Sequence, residues 1–517
     1  MNGPGLAGSR MANFANSIFC GALTRRSFLA QAGIAGLALS ASSSFAEEMV
    51  ELPLAGDPRE RPITHDFPQK GSMILQRTRP PLLETPMKVF DRGVFTPNDQ
   101  FYVRWHWAVI PNSVDLNTFR LSVRGHVRQV LSLSISDILR LPRVDLAAVN
   151  QCSGNSRGFF LPRVAGAQWA HGAMGNAKWT GVLLKDVLDR AGVKPGAVQV
   201  RFNGLDEPVV PDAPDFMKSL DIDHARDGEV MIAFAMNDEQ LPLLNGFPLR
   251  LIVPGWYSTY WVKMLSDIEV LEKPDDNYWM ALAYTIPDTP HANITPGQTG
   301  VKMVPINRMV PRSFFTNVAE GAPFPAGTSV PVRGIAFGGD TGVAKVELSS
   351  DGGKTWQPTT LGKDYGKYSF RQWQTTVPLP GKGDHSLMVR CTNLAGDVQP
   401  SSPNWKRFHA QRDRSGAADG DLGAAHAQDN HCNRRFFGSA VVFRAGLGSA
   451  NSSDQVHDCG SPGRRRHVSR RRSCRCHQEQ LPRLPLSRHG AESAGPAQGD
   501  LGSRGSQDDQ HLQGADR

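Results

Sequence analysis

Between about residues 62 and 290, short apolar runs alternate with turn residues and a few stretches of helical spacing. "GVLLKDVLDRAG" repeats its apolar residues at helical intervals and stops at Gly192, a residue suited to a helix C-cap. "FPLRLIVPG" is a continuous apolar run with a turn behind it, which predicts a buried strand. No G-x-G-x-x-G follows a strand, so a dinucleotide-binding fold is unsupported. From about 295 to 405 the texture changes. "TSVPVRGIAF", "VAKVELSS", "FRQWQTTVPLP" and "HSLMVRCTNLAG" read as strands at short intervals, and Asp351-Gly352 supplies a hairpin turn in "SSDGGKTW". Short strands with regular turns predict an immunoglobulin-like β-sandwich over 295–406. The prolines of "DNYWMALAYTIPDTPHANITPG" predict extended chain between the two domains. The fold class is therefore α+β: a mixed domain over 62–290 followed by a sandwich.

The ends differ from this middle. Residues 24–30 read T-R-R-S-F-L-A, followed by an apolar run and small residues at Ser44 and Ala46. That order predicts a twin-arginine signal peptide over 1–46 and delivery to the periplasm. Such signals serve proteins exported folded, often with a cofactor already inserted. The apolar run is too short and too rich in Ala and Gly to span a bilayer, and no later run is long enough.

The formal charge is +8, which invites a nucleic-acid reading, but much of the positive charge sits in the last hundred or so residues. From Arg407 to Arg517 there is no Lys, Ile, Met, Thr, Tyr or Trp, and "GRRRHVSRRRSCRCHQ" has neither helical nor strand periodicity. A basic disordered tail is one reading and a shifted reading frame is the preferred one. One coding permitted for Gln478–His489, read one base later, gives K-N-N-C-L-A-C-H-S-A-D, which contains the Cys-x-x-Cys-His attachment motif of c-type haem. The same shift turns 498–517 into an amphipathic helical pattern. The expectation is a frame slip near Lys406, a disordered tail over 407–517, and haem c only in a separate or frameshift-lost cytochrome. Cys474-Arg-Cys476-His477 has the wrong spacing for haem.

Within the two domains there are only two cysteines, Cys152 and Cys391, one in each, which makes a poor disulfide pair. Cys391 reads as a small core residue. Cys152, in "NQCSGNSRGFF", has three readings: buried thiol, nucleophile or metal ligand. Its neighbours Asn150, Ser153, Asn155 and Arg157 are hydrogen-bonding groups that a core thiol does not need. A nearby arginine favours the thiolate, the form that binds metal.

These residues carry a family resemblance. "NQCSGNSRGFF", "FYVRWH" at 101–106, "GAMGNAKWTGVLLKDVL" at 173–189 and "NGFPLRLIVPGWYSTYWVKML" at 245–265 resemble the sulfite oxidase and sulfite dehydrogenase family of molybdopterin enzymes. The second domain resembles that family's dimerisation domain, so the likeness covers roughly 60–405 and implies a homodimer. It implies that Cys152 binds molybdenum beside the dithiolene of one molybdopterin, a soft ligand for such a metal. It implies that Arg104, His106 and Tyr284 form the anion site, Arg104 and His106 also touching the cofactor. It places Asp206, Asn245, Arg250 and Lys263 in the pterin-binding stretches, although animal members have histidine where this chain has Asn245. An arginine that the family brings from the far end of the sandwich falls where the frame slips, and neither Arg412 nor Arg414 is assigned to it.

The resulting expectation is a periplasmic molybdenum enzyme that oxidises sulfite to sulfate and passes electrons to a c-type cytochrome, with no nucleic-acid partner and no membrane span. Its rivals are a related reductase acting on a sulfoxide or nitrate, and a secreted β-sandwich binding protein without metal.

Overall fold

The structure, a computed structural model, describes residues 48–400 apart from 161, 162, 290, 291, 293 and 295–297, together with the backbone of Ser439–Gly446. The signal expected at 1–46, the haem reading at 478–489, and Arg412 and Arg414 lie outside the described residues. Among the described residues, no helix is long and apolar enough to cross a membrane.

Short strands build the first half. Met49–Glu51, Glu60–Thr64, Met73–Arg77, Leu82–Glu84 and Val103–Arg104 form an antiparallel meander. It starts ahead of residue 62, because Met49–Glu51 pairs with Glu60–Pro62, a pairing too short to show as periodicity. A second sheet runs in the order Met217–Asp221, Gln199–Asn203, Asp267–Leu271, Leu121–Gly125, Leu131–Leu133. A third holds Glu239–Gln240, Met231–Met236, Met174–Leu183 and Arg143–Gln151 in order, with Arg250–Ile252 also paired to Met231–Met236.

Met174–Leu183 is buried along nearly its whole length, so it reads as a continuous run without alternation. It leads into the helix Leu184–Ala191, which buries Leu184, Val187, Leu188 and Ala191 on one face. Gly192 ends that helix at φ 68°, a left-handed conformation that glycine adopts without strain.

The second half is the sandwich. One sheet runs Arg312–Phe315, Thr328–Phe337, Arg371–Leu379, Thr360–Leu361, and the other Pro323–Pro325, Ser439–Gly446, Gly383–Asn393, Val343–Ser349, Gln357–Pro358. The hairpin at Asp351 is present, its carboxylate accepting from the backbone N–H groups of Lys354 and Thr355. Cys391 is sealed in this core, where burial pushes its thiol up to about 12.

Two expectations change. Ser439–Gly446 lies in the region read as disordered, yet its backbone pairs antiparallel with Gly383–Val389. The local run "SAVVFRAG" has β-branched and aromatic residues despite the unusual composition around it. The proline-rich connection is not wholly extended either: Tyr278–Ala281 is a helical turn, capped by the Asn277 side chain, which accepts from the N–H groups of Trp279 and Met280.

The hydrophobic core does not stop at the domain boundary. Phe314, Ile335, Phe337, Tyr368 and Phe370 of the sandwich belong to the same buried cluster as Trp179, Trp261 and Phe202. Thr328–Phe337 shows why: it alternates up to Arg333, then buries Gly334–Phe337 on both faces where it meets the first domain. Polar contacts fix the seam. Val149 N–H donates to Tyr368 O at 2.8 Å, and Asn176 Nδ2 donates to Val94 O and Ser369 Oγ, each at 2.9 Å. Replacing Asn176 by Ala removes both donors from a dry seam and is expected to cost about 1–3 kcal/mol. The measurement is the urea unfolding midpoint; an unchanged midpoint contradicts the role given to this side chain.

Candidate active site

Arg104 ends a strand, opposite Leu82, and the chain bends at His106. Trp105 between them is buried in the core, where its Nε1 donates to Leu244 O at 3.0 Å. Arg104 and His106 both line a cleft of about 460 Å³. Cys152 reaches the same cleft from the end of Arg143–Gln151. Its N–H donates to Ala173 O at 2.9 Å, its carbonyl accepts from Asn155 N–H at 2.9 Å, and Gly154 N–H points at its sulfur at 3.4 Å. The Arg157 guanidinium folds over Gly154, where an added Cβ would lie 2.7 Å from its Nη2.

Tyr284 completes the wall, its hydroxyl 2.6 Å from His106 Nε2. His106 stacks on Phe216 at 3.6 Å and meets Trp279 edge-on at 5.0 Å. Burial, followed by the charges of Arg104, Lys263 and Lys218, holds His106 well below the usual histidine range, so the imidazole is neutral. Burial raises the Tyr284 phenol, so that pair presents neutral hydrogen-bonding groups beside a permanent guanidinium.

Arg250 and Lys263 line the cleft from below. Arg250 donates to Asn245 O at 2.8 Å and to Asn150 Oδ1 at 3.2 Å, and lies between the rings of Trp179 and Trp261. Burial lowers it to about 10, which leaves it charged near neutrality. Lys263 sits 4.3 Å over the Trp105 ring, and burial together with Arg250 lowers it to about 7. Asp206 opposes that shift, and burial raises its own carboxyl to about 6. Asp206 faces Lys263 rather than forming the cleft wall. Asn245 is on the wall, but its amide oxygen accepts from Lys70 Nζ and its Nδ2 donates to Tyr102 O, so it braces the protein.

Several further contributors are not among the site residues expected from the sequence. Lys70, buried, donates to Asn98 O and Phe101 O besides Asn245. Tyr102 donates to Asn150 Oδ1 at 2.7 Å. Lys218, fully buried, donates to Trp279 O at 2.8 Å and faces the Tyr260 and Tyr284 rings. From the sandwich, Arg312 donates to Ser156 Oγ at 2.8 Å and to Gln151 Oε1 at 3.4 Å, on both sides of Cys152. Ser156 holds a left-handed φ of 73° and its Oγ lies 2.8 Å from His171 Nδ1. Burial, then Arg312, keeps His171 neutral, near a pKa of 3. Ser156 Oγ thus joins the Arg312 guanidinium to the His171 ring. Lys70, His171, Lys218 and Arg312 lie 19 to 160 positions from Cys152 in the sequence, outside the motifs that carry the resemblance.

Comparison with known proteins now bears on this cleft. The family described as oxidoreductase molybdopterin binding domain matches residues 107–279, and the Mo-co oxidoreductase dimerisation domain matches 305–409. The mitochondrial sulfite oxidase of Mus musculus is 31% identical over 389 residues, covering 69% of this chain and 68% of that protein. This chain belongs to the sulfite oxidase family of molybdopterin oxidoreductases. Sulfite oxidase of Gallus gallus is 30% identical, covering 69% of this chain and 79% of its own. A solved structure, the sulfane dehydrogenase SoxCD of Paracoccus pantotrophus, aligns with a TM-score of 0.54 at 24% identity over 70% of this chain and 88% of its own, which supports the fold. The matched spans include Cys152, Asp206, Asn245, Arg250 and Lys263, whereas Arg104, His106 and Tyr284 fall just outside them.

The residues present fit the family's cofactor. Arg104 Nη1, Asn150 Nδ2 and Arg250 Nε are buried donors without a protein partner. On the cleft wall, Arg104, Arg250 and Lys263 stand beside the Cys152 thiol, an arrangement that suits an anionic pterin phosphate and a soft-ligand metal. Arg312→Met removes the donor that ties Gln151 to Ser156. In cofactor-free protein, Cys152 should then alkylate several-fold faster with iodoacetamide, while Cys391 stays unreactive; Arg312→Lys should restore part of the protection. Peptide mass mapping of the labelled protein measures this.

Proposed function

We propose that this oxidoreductase converts sulfite to sulfate in the periplasm, after export by the twin-arginine route, and hands its electrons to a c-type cytochrome. The observation that carries the reading is the convergence of Cys152, Arg104, His106 and Tyr284 on one cationic cleft, from segments as much as 180 residues apart. The relatives named sulfite oxidase support the substrate, and the shifted-frame haem motif supports the acceptor.

When bound, the molybdenum–molybdopterin group supplies two-electron oxygen-atom transfer. Cys152 is the residue that would ligate the metal, with Arg250 and Lys263 holding the pterin's anionic end. Arg104 offers a fixed charge and an unpartnered Nη1 to the incoming oxyanion. His106 and Tyr284 orient it through neutral hydrogen bonds, held in place by each other and by Phe216. Asp206 favours the charged form of Lys263, and Lys70 and Tyr102 keep the neighbouring amides turned the right way. The sandwich contributes Arg312 to the cysteine loop and serves as the surface for a homodimer.

Per turnover, sulfite and water yield sulfate, two protons and two electrons. The test is elemental analysis with a steady-state assay. About one molybdenum per chain and sulfite-dependent reduction of ferricyanide and cytochrome c are expected, with no turnover of nitrate or methionine sulfoxide. A protein without molybdenum, or one that turns over either of those compounds in place of sulfite, contradicts the assignment. Arg104→Gln should lower kcat/KM for sulfite about 100-fold, through loss of a charge-assisted contact in a buried site.

A further inference from the structure

The outer side of the cleft is built from three segments that touch one another. Glu207 N–H donates to Val109 O at 3.0 Å, Trp279 Nε1 donates to Pro214 O at 3.1 Å, and the Trp107 and Trp279 rings meet at 6.0 Å. These segments expose an unusual number of large apolar side chains. Val109, Val209, Val210, Tyr278 and Leu282 are each between 44% and 62% exposed. A cluster of this kind on one face marks a surface made to be covered.

Its charge is equally distinctive. Residues 105–119, 202–217 and 274–289 contain no Lys or Arg, in a chain whose formal charge is +8. Glu207, Asp212 and Asp276 stand exposed among the apolar residues. An anionic substrate gains nothing from such a rim; the groups that attract it, Arg104 and Lys263, lie inside the cleft. The negative, apolar face therefore answers to another ligand. Apolar centre and acidic edge complement a protein with an apolar contact patch ringed by lysines. The face is also close to the chemistry: the exposed ring of Tyr278 meets Trp279 at 5.1 Å, and Trp279 meets His106 at 5.0 Å.

We propose that the face formed by Val109, Val209, Val210, Tyr278 and Leu282, edged by Glu207, Asp212 and Asp276, is the docking surface for a basic c-type cytochrome that takes electrons from the cleft. This rests on the sulfite-oxidising function proposed above. Each sulfite releases two electrons, so two ferric haems are reduced in succession, each accepting one electron to become ferrous. One cytochrome must leave before the next arrives, which suits a small face steered by charge.

The test uses the full-length holoenzyme with sulfite and two acceptors: saturating ferricyanide, which needs no protein docking, and mitochondrial-type cytochrome c as the basic probe. The variants are Glu207→Lys/Asp212→Lys/Asp276→Lys and Val210→Lys/Leu282→Lys, with Glu60→Lys as a charge control outside these segments. Both multiple variants should raise KM for cytochrome c about tenfold at low salt. The charge-reversed one should also flatten its salt dependence. The ferricyanide kcat and the Glu60→Lys control should stay at the wild-type level. Unchanged cytochrome KM and salt dependence with normal ferricyanide turnover overturns the docking face alone. A changed oligomeric state by sedimentation, with cytochrome KM unmoved, assigns the face to a second copy of the chain and also overturns it. Absence of sulfite-dependent ferricyanide reduction in the wild type defeats the sulfite reading itself, and the docking proposal with it.

Discussion

Positive charge buried in a cleft beside a thiol is the constraint on which the site depends. Arg104, Arg250 and Lys263 converge on Cys152, and the one buried carboxylate that faces Lys263 is Asp206. Burying cations without matching anions is costly, and the cost shows in Lys263, brought down to about 7. The surrounding structure accepts that cost in the free protein: Trp179 and Trp261 flank Arg250, Trp105 lies under Lys263, and backbone carbonyls take up Lys70 and Lys218. A bound anion completes the electrostatics, so the cleft is shaped for a partner that the protein cannot supply from its own side chains.

The parts legible in the sequence were those encoded locally. Arg104 and His106 sit two apart in one short motif and both reach the cleft, with Trp105 between them buried in the core. The helix at Leu184–Ala191 and the sandwich strands declared themselves through spacing and turns. What the sequence hid is what the fold brings from afar. Lys70, Lys218 and Arg312 are isolated basic residues in unremarkable segments, and their roles appear once their tips are seen buried against Asn245, Trp279 and Ser156. Asn245 lies on the cleft wall as its motif suggests, and its amide also binds Lys70 and Tyr102, a bracing contact that the motif does not show. Ser439–Gly446 was not singled out from the sequence, although its eight residues have strand propensity and their backbone pairs with Gly383–Val389.

Charge is divided by depth in the first domain. The interior of the cleft is cationic, while the segments at its mouth lack basic residues and carry exposed carboxylates. The two layers act over different ranges. The buried cations act on a small ion already inside, in a medium that screens them little, whereas the outer carboxylates act through water and are weakened by salt.

The Arg312 contact imposes an order on biosynthesis. Residue 152 leaves the ribosome 160 residues before residue 312, so during translation the cysteine loop has no guanidinium to tie Gln151 to Ser156. The same holds for the N–H of Val149, whose acceptor on Tyr368 is made later still. The nascent first domain is thus an unfinished mould, and its cysteine loop gains the Arg312 contact only after the sandwich has been synthesised and packed. A product truncated before residue 312 lacks the guanidinium that braces the loop on both sides of its thiol.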